Sequence, residues 1–300
     1  MLAYFKLIKI DNLLLIALAQ VFIKYGLFEP FGIAITLNGF GIALLIIATV
    51  SIAAAGNVII EIYDQESSNS KEFIFGSITE KSANRLFIVL NVIGVLIGFY
   101  LANLVGRPGF AALFVITSGI FYVYASYLKE VLVVKNVIIG LLVALSLIVV
   151  GIFDLLPAIT EKNRVSQTTI FSIIFDYAIF AFLIVCLREI IKDCIRIDKD
   201  HNTGVTTIPI TLGKERTIKL IGILTVLPIV ALIYYIYTYL FSNTVAVILV
   251  LVSIIAPLIY FIIRTFTAES NKQLTILKLI LKIVLVMATL SLMFYQYILK

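Results

Sequence analysis

Residues 169–191 read TIFSIIFDYAIFAFLIVCLREII, and Asp176 is the only charged residue in this stretch before Arg188. A helix of about 20 apolar residues crosses the ~30 Å hydrocarbon core of a bilayer. Such a helix also satisfies its own backbone hydrogen bonds where water is absent. The stretch is therefore typical of a transmembrane helix.

Similar apolar stretches recur on both sides of it, separated by charged residues and by Gly or Pro. With this stretch included, they are Ile10–Phe28, Phe40–Ile60, Leu86–Val105, Phe110–Tyr127, Val131–Ile152, Thr169–Ile191, Ile218–Leu240, Val245–Ile263 and Leu274–Tyr297. Of the 300 residues, 62% are hydrophobic and 13% are charged, whereas roughly a quarter are charged in soluble proteins. We expect an all-α, polytopic membrane protein with nine transmembrane helices, forming one integral membrane domain over residues 1–300.

Charge and residue usage exclude several functional classes. The net charge of +6 is modest and dispersed, which argues against a nucleic-acid-binding surface. Two cysteines, Cys186 and Cys194, and a single histidine, His201, exclude a disulfide framework and a multi-histidine metal site. Lys6 and Lys9 precede the first apolar stretch without an A-x-A-like cleavage site, so we expect that stretch to be retained as a span.

The lysines and arginines are distributed unequally between the two sides of the predicted membrane domain. If the N-terminus is cytoplasmic, most of the 23 Lys and Arg residues fall on the cytoplasmic side, as the positive-inside rule requires. That orientation also places the two longest polar loops, Glu61–Asn84 and Lys192–Arg216, in the cytoplasm. We expect a multi-pass protein of the inner (plasma) membrane, with any chemistry in these two loops.

The second apolar stretch ends in a row of polar residues. Asn57, Glu61, Asp64 and Ser68 follow one another at steps of four, three and four. If the helix continues, these four side chains share one face. Carboxylates at membrane depth are costly unless they are paired or bound to a cation. A cation site and a solvated helix end are both consistent with this pattern.

The sixth apolar stretch ends in a layer of acidic and basic residues. Asp193 and Asp200 are seven positions apart and share a face, with Arg188 and Lys192 about one turn below. Magnesium is typically held by one or two carboxylates plus substrate phosphates, and Arg and Lys bind the remaining phosphate charge. The layer indicates a site for a metal-bound polyanion, with an interfacial charge run as the alternative.

The segment from Lys192 to Gly213 resembles the second aspartate-rich motif, KDxxDxxGDxxxGxxTLPxxLG, of the UbiA superfamily of intramembrane prenyltransferases. The matching positions are Lys192, Asp193, Asp200, Gly204, Thr207, Pro209, Leu212 and Gly213. Residues 55–64 resemble the entry to the family's first motif, NxxxDxxxD. In the family, the fourth helix carries a stretch with a tyrosine and a lysine. A similar stretch here contains Tyr124, Ser126, Leu128 and Lys129. The resemblance extends over essentially the whole chain.

This resemblance implies a UbiA-type bundle around a central cavity, in which two Asp-rich helices hold Mg²⁺ against the diphosphate of a polyprenyl donor. The prenyl chain would lie in an apolar tunnel within the membrane lipids. Withdrawal of charge at the diphosphate promotes its departure, and an acceptor captures the allylic cation. The implied acceptor is a quinone-ring precursor or a glycerol-phosphate lipid.

The resemblance also implies roles for particular residues. The catalytic and metal-binding residues would be Asp64, Asp193 and Asp200, with Glu61 and Asn57 as further metal ligands. Diphosphate contacts would come from Lys129, Arg188, Lys192 and Arg196. Tyr124 and Asn12 would lie in the substrate cavity, although the plain interpretation of Asp11 and Asn12 is a helix N-cap.

The sequence departs from the family pattern within both motifs. Ile60 and Ser68 replace an Asn and the last Asp of the first motif, while Arg196 and Lys199 replace the middle Asp and a Gly of the second. Arg196 either supplies the charge of a second metal or pairs with an aspartate and closes the site. Asp154, near the predicted non-cytoplasmic end of its stretch, is expected in the interface.

Two other functions compete with prenyl transfer. A degenerate relative would bind isoprenoid lipids without turnover, because two aspartate positions of the motifs are lost. A transporter is disfavoured, since transporter sites lie near the bilayer midplane and the charged residues here gather on one side.

Overall fold

The computed structural model describes residues 2–66 and 78–298. Among them are nine helices long and apolar enough to cross a membrane, which we number span 1 to span 9. Their bounds are Ile10–Phe31, Gly39–Gln65, Glu80–Leu104, Pro108–Ser126, Val134–Ala158, Arg164–Ile195, Lys214–Leu240, Thr244–Thr265 and Asn271–Met293. The predicted all-α class and the nine transmembrane helices are confirmed.

Several helices extend beyond the apolar stretches that predicted them. Span 6 is a helix of 32 residues, or about 48 Å, which exceeds the hydrocarbon thickness. Span 2 likewise continues past Ile60 through Asp64. Hydropathy detects only the part of a helix that lies in hydrocarbon, whereas the backbone remains helical through the following polar turns. These extensions carry Asp64 and Asp193.

Short helices lie beside the spans. Leu2–Leu7 precedes span 1, and Ile197–Asn202 and Ile208–Leu212 lie between spans 6 and 7. Lys9, at φ 53°, separates the first short helix from span 1, and Gly213, at φ 86°, separates the last from span 7. Both residues adopt positive φ, which glycine tolerates and lysine rarely adopts.

Three spans contain π-helical segments, at Ile23–Phe28, Ile236–Leu240 and Leu251–Ile255. The outward faces of the bundle carry exposed large apolar side chains, for example Leu96, Phe99, Val230 and Val252. A soluble monomer rarely exposes so many. The molecule is a multi-pass membrane protein.

Glycines permit close approach of the helices at particular points. A Cβ on Gly26 would lie 2.6 Å from the backbone oxygen of Leu292, so spans 1 and 9 touch there. A Cβ on Gly98 would lie 2.2 Å from the Phe114 ring, where spans 3 and 4 meet. Small residues are the usual means of such contacts between membrane helices.

A buried ion pair connects spans 1 and 5. Lys24 Nζ lies 2.7 Å from Asp154 Oδ2, with the two side chains 1% and 0% exposed. Asp154 Oδ1 accepts hydrogen bonds from the backbone N–H groups of Thr36 (2.9 Å) and Leu37 (2.8 Å), and Lys24 also donates to the Leu37 carbonyl. Asp154, which was expected in the interface, is therefore buried within the protein near the end of span 5. A complete set of partners compensates for its removal from water.

Candidate active site

A charged cavity of about 70 Å³ lies where spans 2, 5 and 6 meet the short helix Ile197–Asn202. The charged residues of its lining are Asp64, Lys129, Lys135, Glu189, Lys192, Asp193, Arg196, Lys199 and Asp200. We call it the aspartate cavity. The structure thus brings the three aspartates singled out by the sequence to one cavity.

Asp64, on the extension of span 2, has two cationic neighbours. Lys129 Nζ lies 3.2 Å from its Oδ1, and Arg196 Nη1 lies 3.7 Å from its Oδ2. Lys129 follows span 4 in a 3₁₀ turn, and its ammonium lies 5.8 Å from the centre of the Tyr63 ring. Arg196 therefore pairs with the first-motif aspartate, and not with those of its own motif.

Asp193 and Asp200 share one cation from span 5. Lys135 Nζ lies 2.7 Å from Asp193 Oδ1 and 3.9 Å from Asp200 Oδ2. Asn136 donates a hydrogen bond of 3.2 Å to the second oxygen of Asp193. The sequence analysis did not single out Lys135 or Asn136. The available signal was a Lys-Asn pair inside the apolar stretch 131–152, where polar residues are costly without a partner.

Glu189 is a further residue that the sequence analysis did not assign. Its Oε2 accepts a hydrogen bond of 2.6 Å from Lys192, one turn further along span 6. Both residues line the aspartate cavity and also the larger cavity beside it. The Glu189–Lys192 pair therefore forms part of the wall between the two cavities.

Burial changes the acidity of Asp200, which lies outside the membrane spans. Loss of solvent raises the pKa of the Asp200 carboxyl above its ordinary value, while Lys135 and Arg196 partly oppose the rise. Nearby cations favour the ionised form of a buried carboxyl. Asp200 is therefore easier to protonate than an exposed aspartate, and the two cations limit this effect.

The larger cavity has a volume of about 210 Å³ and shares Ile60 and Tyr124, besides the Glu189–Lys192 pair, with the aspartate cavity. Most of its lining is apolar, from spans 1, 2, 4, 5, 6 and 9. Polar groups gather at the end near the shared wall: Lys9, Asn12, Asn57 and Arg188. Tyr124 and Asn12 both line this cavity.

The start of span 1 differs from the expected N-cap. The helix begins at Ile10 after Lys9, which makes no side-chain capping hydrogen bond. Asp11 instead forms an ion pair with Lys282 of span 9. The N-cap interpretation of Asp11 and Asn12 is therefore wrong, because the strained Lys9 backbone ends the preceding short helix and both residues fall within the first turn.

The remaining predicted residues lie apart from the aspartates. Arg188 and Asn57 line the larger cavity, and neither lines the aspartate cavity. Asn57 Nδ2 donates a hydrogen bond of 2.9 Å to the Ile8 carbonyl. Glu61 lines neither cavity and interacts electrostatically with Lys9. Ser68 and residues 69–72 lie outside the described residues.

The aspartate cavity has the chemistry of a magnesium site that needs its substrate. Within residues 2–66 and 78–298, no three acidic, histidine or cysteine side chains form a preformed metal cage. Magnesium does not require one, since it commonly binds one or two carboxylates plus substrate phosphates. The lining has one cation more than it has carboxylates, which suits a diphosphate that stays negative after binding one metal. The residues fit Mg²⁺ bound together with a diphosphate.

The fold and the two adjoining cavities define an integral membrane protein suited to an amphiphile, with an anionic head in one cavity and an apolar chain in the other. Residues 13–286 match the model of the UbiA prenyltransferase family, and the chain belongs to this family. The resemblance stated from the motifs is confirmed.

Curated relatives include several proteins named digeranylgeranylglyceryl phosphate synthase. The protein from Methanothermobacter thermautotrophicus is 31% identical over 179 residues, which are 58% of this chain and 57% of the relative. The protein from Methanosphaera stadtmanae is 24% identical over 225 residues, 73% of each chain. The matched region thus spans little more than half of the first relative and almost three quarters of the second.

Solved structures show the same fold. A structure of digeranylgeranylglyceryl phosphate synthase superposes with a TM-score of 0.63 at 20% identity, covering 97% of this chain and 98% of that one. A UbiA homologue from Archaeoglobus fulgidus bound to DMAPP and Mg²⁺ superposes with a TM-score of 0.57 at 15% identity, covering 97% and 98%. The predicted UbiA-type bundle is confirmed.

Proposed function

We propose that this protein transfers a polyprenyl group from an allylic prenyl diphosphate to the hydroxyl of a glycerol-phosphate lipid. The observation that supports this proposal most directly is that the aspartate cavity adjoins a mostly apolar cavity. The two cavities share Tyr124 and the Glu189–Lys192 pair in their linings. The names of the curated relatives support a glycerol-phosphate acceptor over a quinone precursor.

The donor diphosphate would bind in the aspartate cavity through Lys129, Lys135, Lys192 and Arg196. Each of these cations faces a carboxylate in the absence of ligand. When a diphosphate enters, the ammonium and guanidinium groups turn from the carboxylates to phosphate oxygens. Charge-assisted hydrogen bonds of this kind are stronger than neutral ones.

The freed carboxylates of Asp64, Asp193 and Asp200 would hold Mg²⁺. Bound there, the metal would neutralise the charge that develops on the departing diphosphate. Asn136 keeps one oxygen of Asp193 fixed, so this carboxylate is oriented before the donor arrives. Glu61 and Asn57 do not line this cavity, and our proposal therefore assigns the metal to the three aspartates.

The apolar cavity would hold the prenyl chain and exclude water. Exclusion of water matters because the allylic cation formed on loss of diphosphate would otherwise be hydrolysed. Tyr124 is 6% exposed and lies where the cavities adjoin. In this proposal, its ring would stabilise the positive charge of the allylic carbon.

We further propose that the aspartate cavity faces the cytoplasm of a plasma-membrane protein. The concentration of Lys and Arg in the loops on that side supports this orientation. It would give the site direct access to cytoplasmic prenyl diphosphates and to Mg²⁺.

The test uses the full chain in lipid nanodiscs with Mg²⁺, a C20 allylic diphosphate and a glycerol phosphate carrying one ether-linked C20 chain. We expect a second ether chain on the glycerol and release of diphosphate, both reduced at least 100-fold by Asp193→Asn. Glu215→Gln, an exposed change in span 7, serves as the control. Binding of the donor without release, whichever glycerol-phosphate or quinone-precursor acceptor is supplied, would establish a lipid-binding relative instead.

A further inference from the structure

We propose that the aspartate cavity takes a single Mg²⁺ with the donor diphosphate, and that Arg196, together with Lys199, supplies the positive charge that a second metal would bring. This inference rests on the proposed function, since it concerns how the diphosphate of that donor is neutralised. Both residues line the aspartate cavity. Both also depart from the family motif, which has Asp at position 196 and Gly at position 199.

Arg196 lies at a break between two helices, between the two aspartates of its motif. Span 6 ends immediately before it, and the short helix Ile197–Asn202 begins immediately after it. Its N–H donates a hydrogen bond of 3.1 Å to the Asp193 carbonyl, and its own carbonyl accepts one of 2.9 Å from the Asp200 N–H. A carboxylate at this position would start from the backbone between those two aspartates, whereas the longer guanidinium side chain reaches Asp64 on span 2.

The contact of Arg196 with Asp64 does not close the cavity. The distance between Nη1 and Oδ2 is 3.7 Å, and the Arg196 side chain is 42% exposed. A charge-assisted hydrogen bond is shorter, at about 2.7–2.9 Å. Both residues line a cavity that still measures about 70 Å³. The guanidinium can therefore turn from Asp64 to a phosphate without losing a short bond, and its planar fork suits two phosphate oxygens.

Lys199 brings a further cation to the same cavity. It lies in the short helix directly before Asp200 and lines the aspartate cavity. Its side chain is exposed, and within residues 2–66 and 78–298 it forms no ion pair. Its positive charge is therefore not neutralised by a neighbouring carboxylate in that part of the chain, and a bound phosphate would provide the missing counterion.

The net charge of the lining suits one divalent ion. Five lysine and arginine side chains face four carboxylates, which leaves one positive charge. A prenyl diphosphate carries roughly three negative charges when its terminal phosphate is ionised. One Mg²⁺ would therefore bring the cavity and its ligand to neutrality, whereas a second would leave two positive charges uncompensated. Uncompensated charge is costly in a site with little water.

The family pattern at the same two positions gives a different charge balance. With Asp at position 196 and Gly at position 199, this lining would keep three of its five cations and would have five carboxylates, so its net charge would be negative by two. The same diphosphate would then need two divalent ions to come within one charge of neutrality. The two replacements together add three positive charges, which is more than one Mg²⁺ brings.

The charges are distributed unevenly within the cavity. Asp64 has two cationic neighbours, Lys129 and Arg196, whereas Asp193 and Asp200 share a single lysine. The carboxylates without a full counter-charge are therefore those of the second motif. Magnesium beside them would meet the least repulsion, and the guanidinium of Arg196 would neutralise phosphate oxygens on the Asp64 side.

The experiment counts divalent ions bound to the full protein in nanodiscs by electron paramagnetic resonance, with Mn²⁺ as the probe and a non-hydrolysable C20 diphosphate as the ligand. We expect one bound Mn²⁺ per wild-type chain. Arg196→Asp combined with Lys199→Gly should bind two, with a spin-coupled spectrum. Arg216→Asp, an exposed charge inversion on span 7, is the matched control and should bind one.

A second arm measures the affinity of each variant for the diphosphate ligand, which also shows that the variant is folded. Arg196→Gln adds no carboxylate, so it should still bind one Mn²⁺ while its affinity for the ligand falls at least tenfold. Two ions in wild type, one in the double variant, or ligand bound without any ion would each overturn the inference. One ion in a wild-type protein that transfers no prenyl group would refute the proposed function and leave the metal count intact.

Discussion

Lys135 is the residue that most clearly joins the two halves of the second motif, because its ammonium contacts both Asp193 and Asp200. We expect Lys135→Met to lower kcat/KM for the donor about 100-fold, since it removes a proposed phosphate contact and the ion pair with Asp193. Steady-state kinetics at varied donor concentration would measure the change.

The matched control for this prediction is Lys219→Met, which removes an exposed lysine paired with Glu215 on span 7. It should retain wild-type kinetics. Equal kcat/KM in Lys135→Met and wild type, with both proteins folded, would exclude Lys135 from the donor site.

The lowered pKa of Lys9 leads to a prediction about pH. Its pKa in the folded chain is lowered to about 8, so its positive charge is present at pH 7 and mostly lost at pH 9. Lys192, Arg196, Glu189 and Glu61 act on the ammonium electrostatically. We therefore expect the free energy of unfolding, measured in detergent by denaturant titration, to increase as pH rises from about 8 to 10.5, because the folded chain releases this proton at a lower pH than the unfolded chain does.

Lys9→Arg separates this titration from others in the protein. Guanidinium stays protonated throughout this range, so the free energy of unfolding of this variant should lack that increase. A parallel rise in the variant and in wild type would show that another group titrates.

At the scale of the helical elements, the Lys24–Asp154 pair fixes span 1 to span 5. Asp154→Asn would leave the Lys24 ammonium buried without a counterion, and breaking such pairs costs about 3–5 kcal/mol. We expect a corresponding loss in the free energy of unfolding, measured in detergent by denaturant titration. Glu161→Gln, an exposed change in the following loop, should have little effect.

A double variant tests the origin of that loss. Lys24→Met combined with Asp154→Asn removes both charges and keeps an oxygen at position 154 for the backbone N–H groups of Thr36 and Leu37. It should be more stable than Asp154→Asn alone, because no uncompensated charge remains. If the double variant is less stable than the single one, the loss of stability in Asp154→Asn comes from loss of the ion pair itself and not from the unpaired lysine.

The contact of span 1 with span 9 yields a second prediction at this scale. Gly26→Ala would place a Cβ 2.6 Å from the Leu292 carbonyl oxygen, and a backbone atom cannot rotate away. We expect a lower thermal midpoint by several degrees. Gly119→Ala in span 4, where no atom lies within 4 Å of the added carbon, should match wild type or exceed it slightly through helix propensity.

At the scale of the whole molecule, composition and hydropathy predicted the architecture well. Transmembrane helices can be predicted from the length and apolarity of a stretch of sequence. The aspartate motifs predicted which carboxylates lie at one cavity. Helix ends were less predictable, because Asp64 and Asp193 lie on polar extensions that hydropathy does not register. The partner of Asp154 was not predicted, because Lys24 lies 130 positions away in sequence.

The division of the site into two cavities could not be predicted from the sequence either, because it depends on contacts between residues far apart in the chain. Spacing along span 6 placed Arg188, Lys192 and Asp193 near one another, but only tertiary packing decides which cavity each side chain enters. Lys135 arrives from span 5 and Lys9 from the start of the chain, and neither belongs to a motif. The sequence pattern therefore does not show which side chains of distant helices contact one another.

The mutual neutralisation of acids and bases in the aspartate cavity bears on biogenesis. Each carboxylate of the motifs already has an ammonium or guanidinium beside it, so the newly made polypeptide has no strong repulsion to overcome there. Insertion and assembly would then proceed whatever the cellular supply of magnesium. If the proposed magnesium dependence holds, scarcity of the ion would lower the activity of the folded protein without lowering its amount.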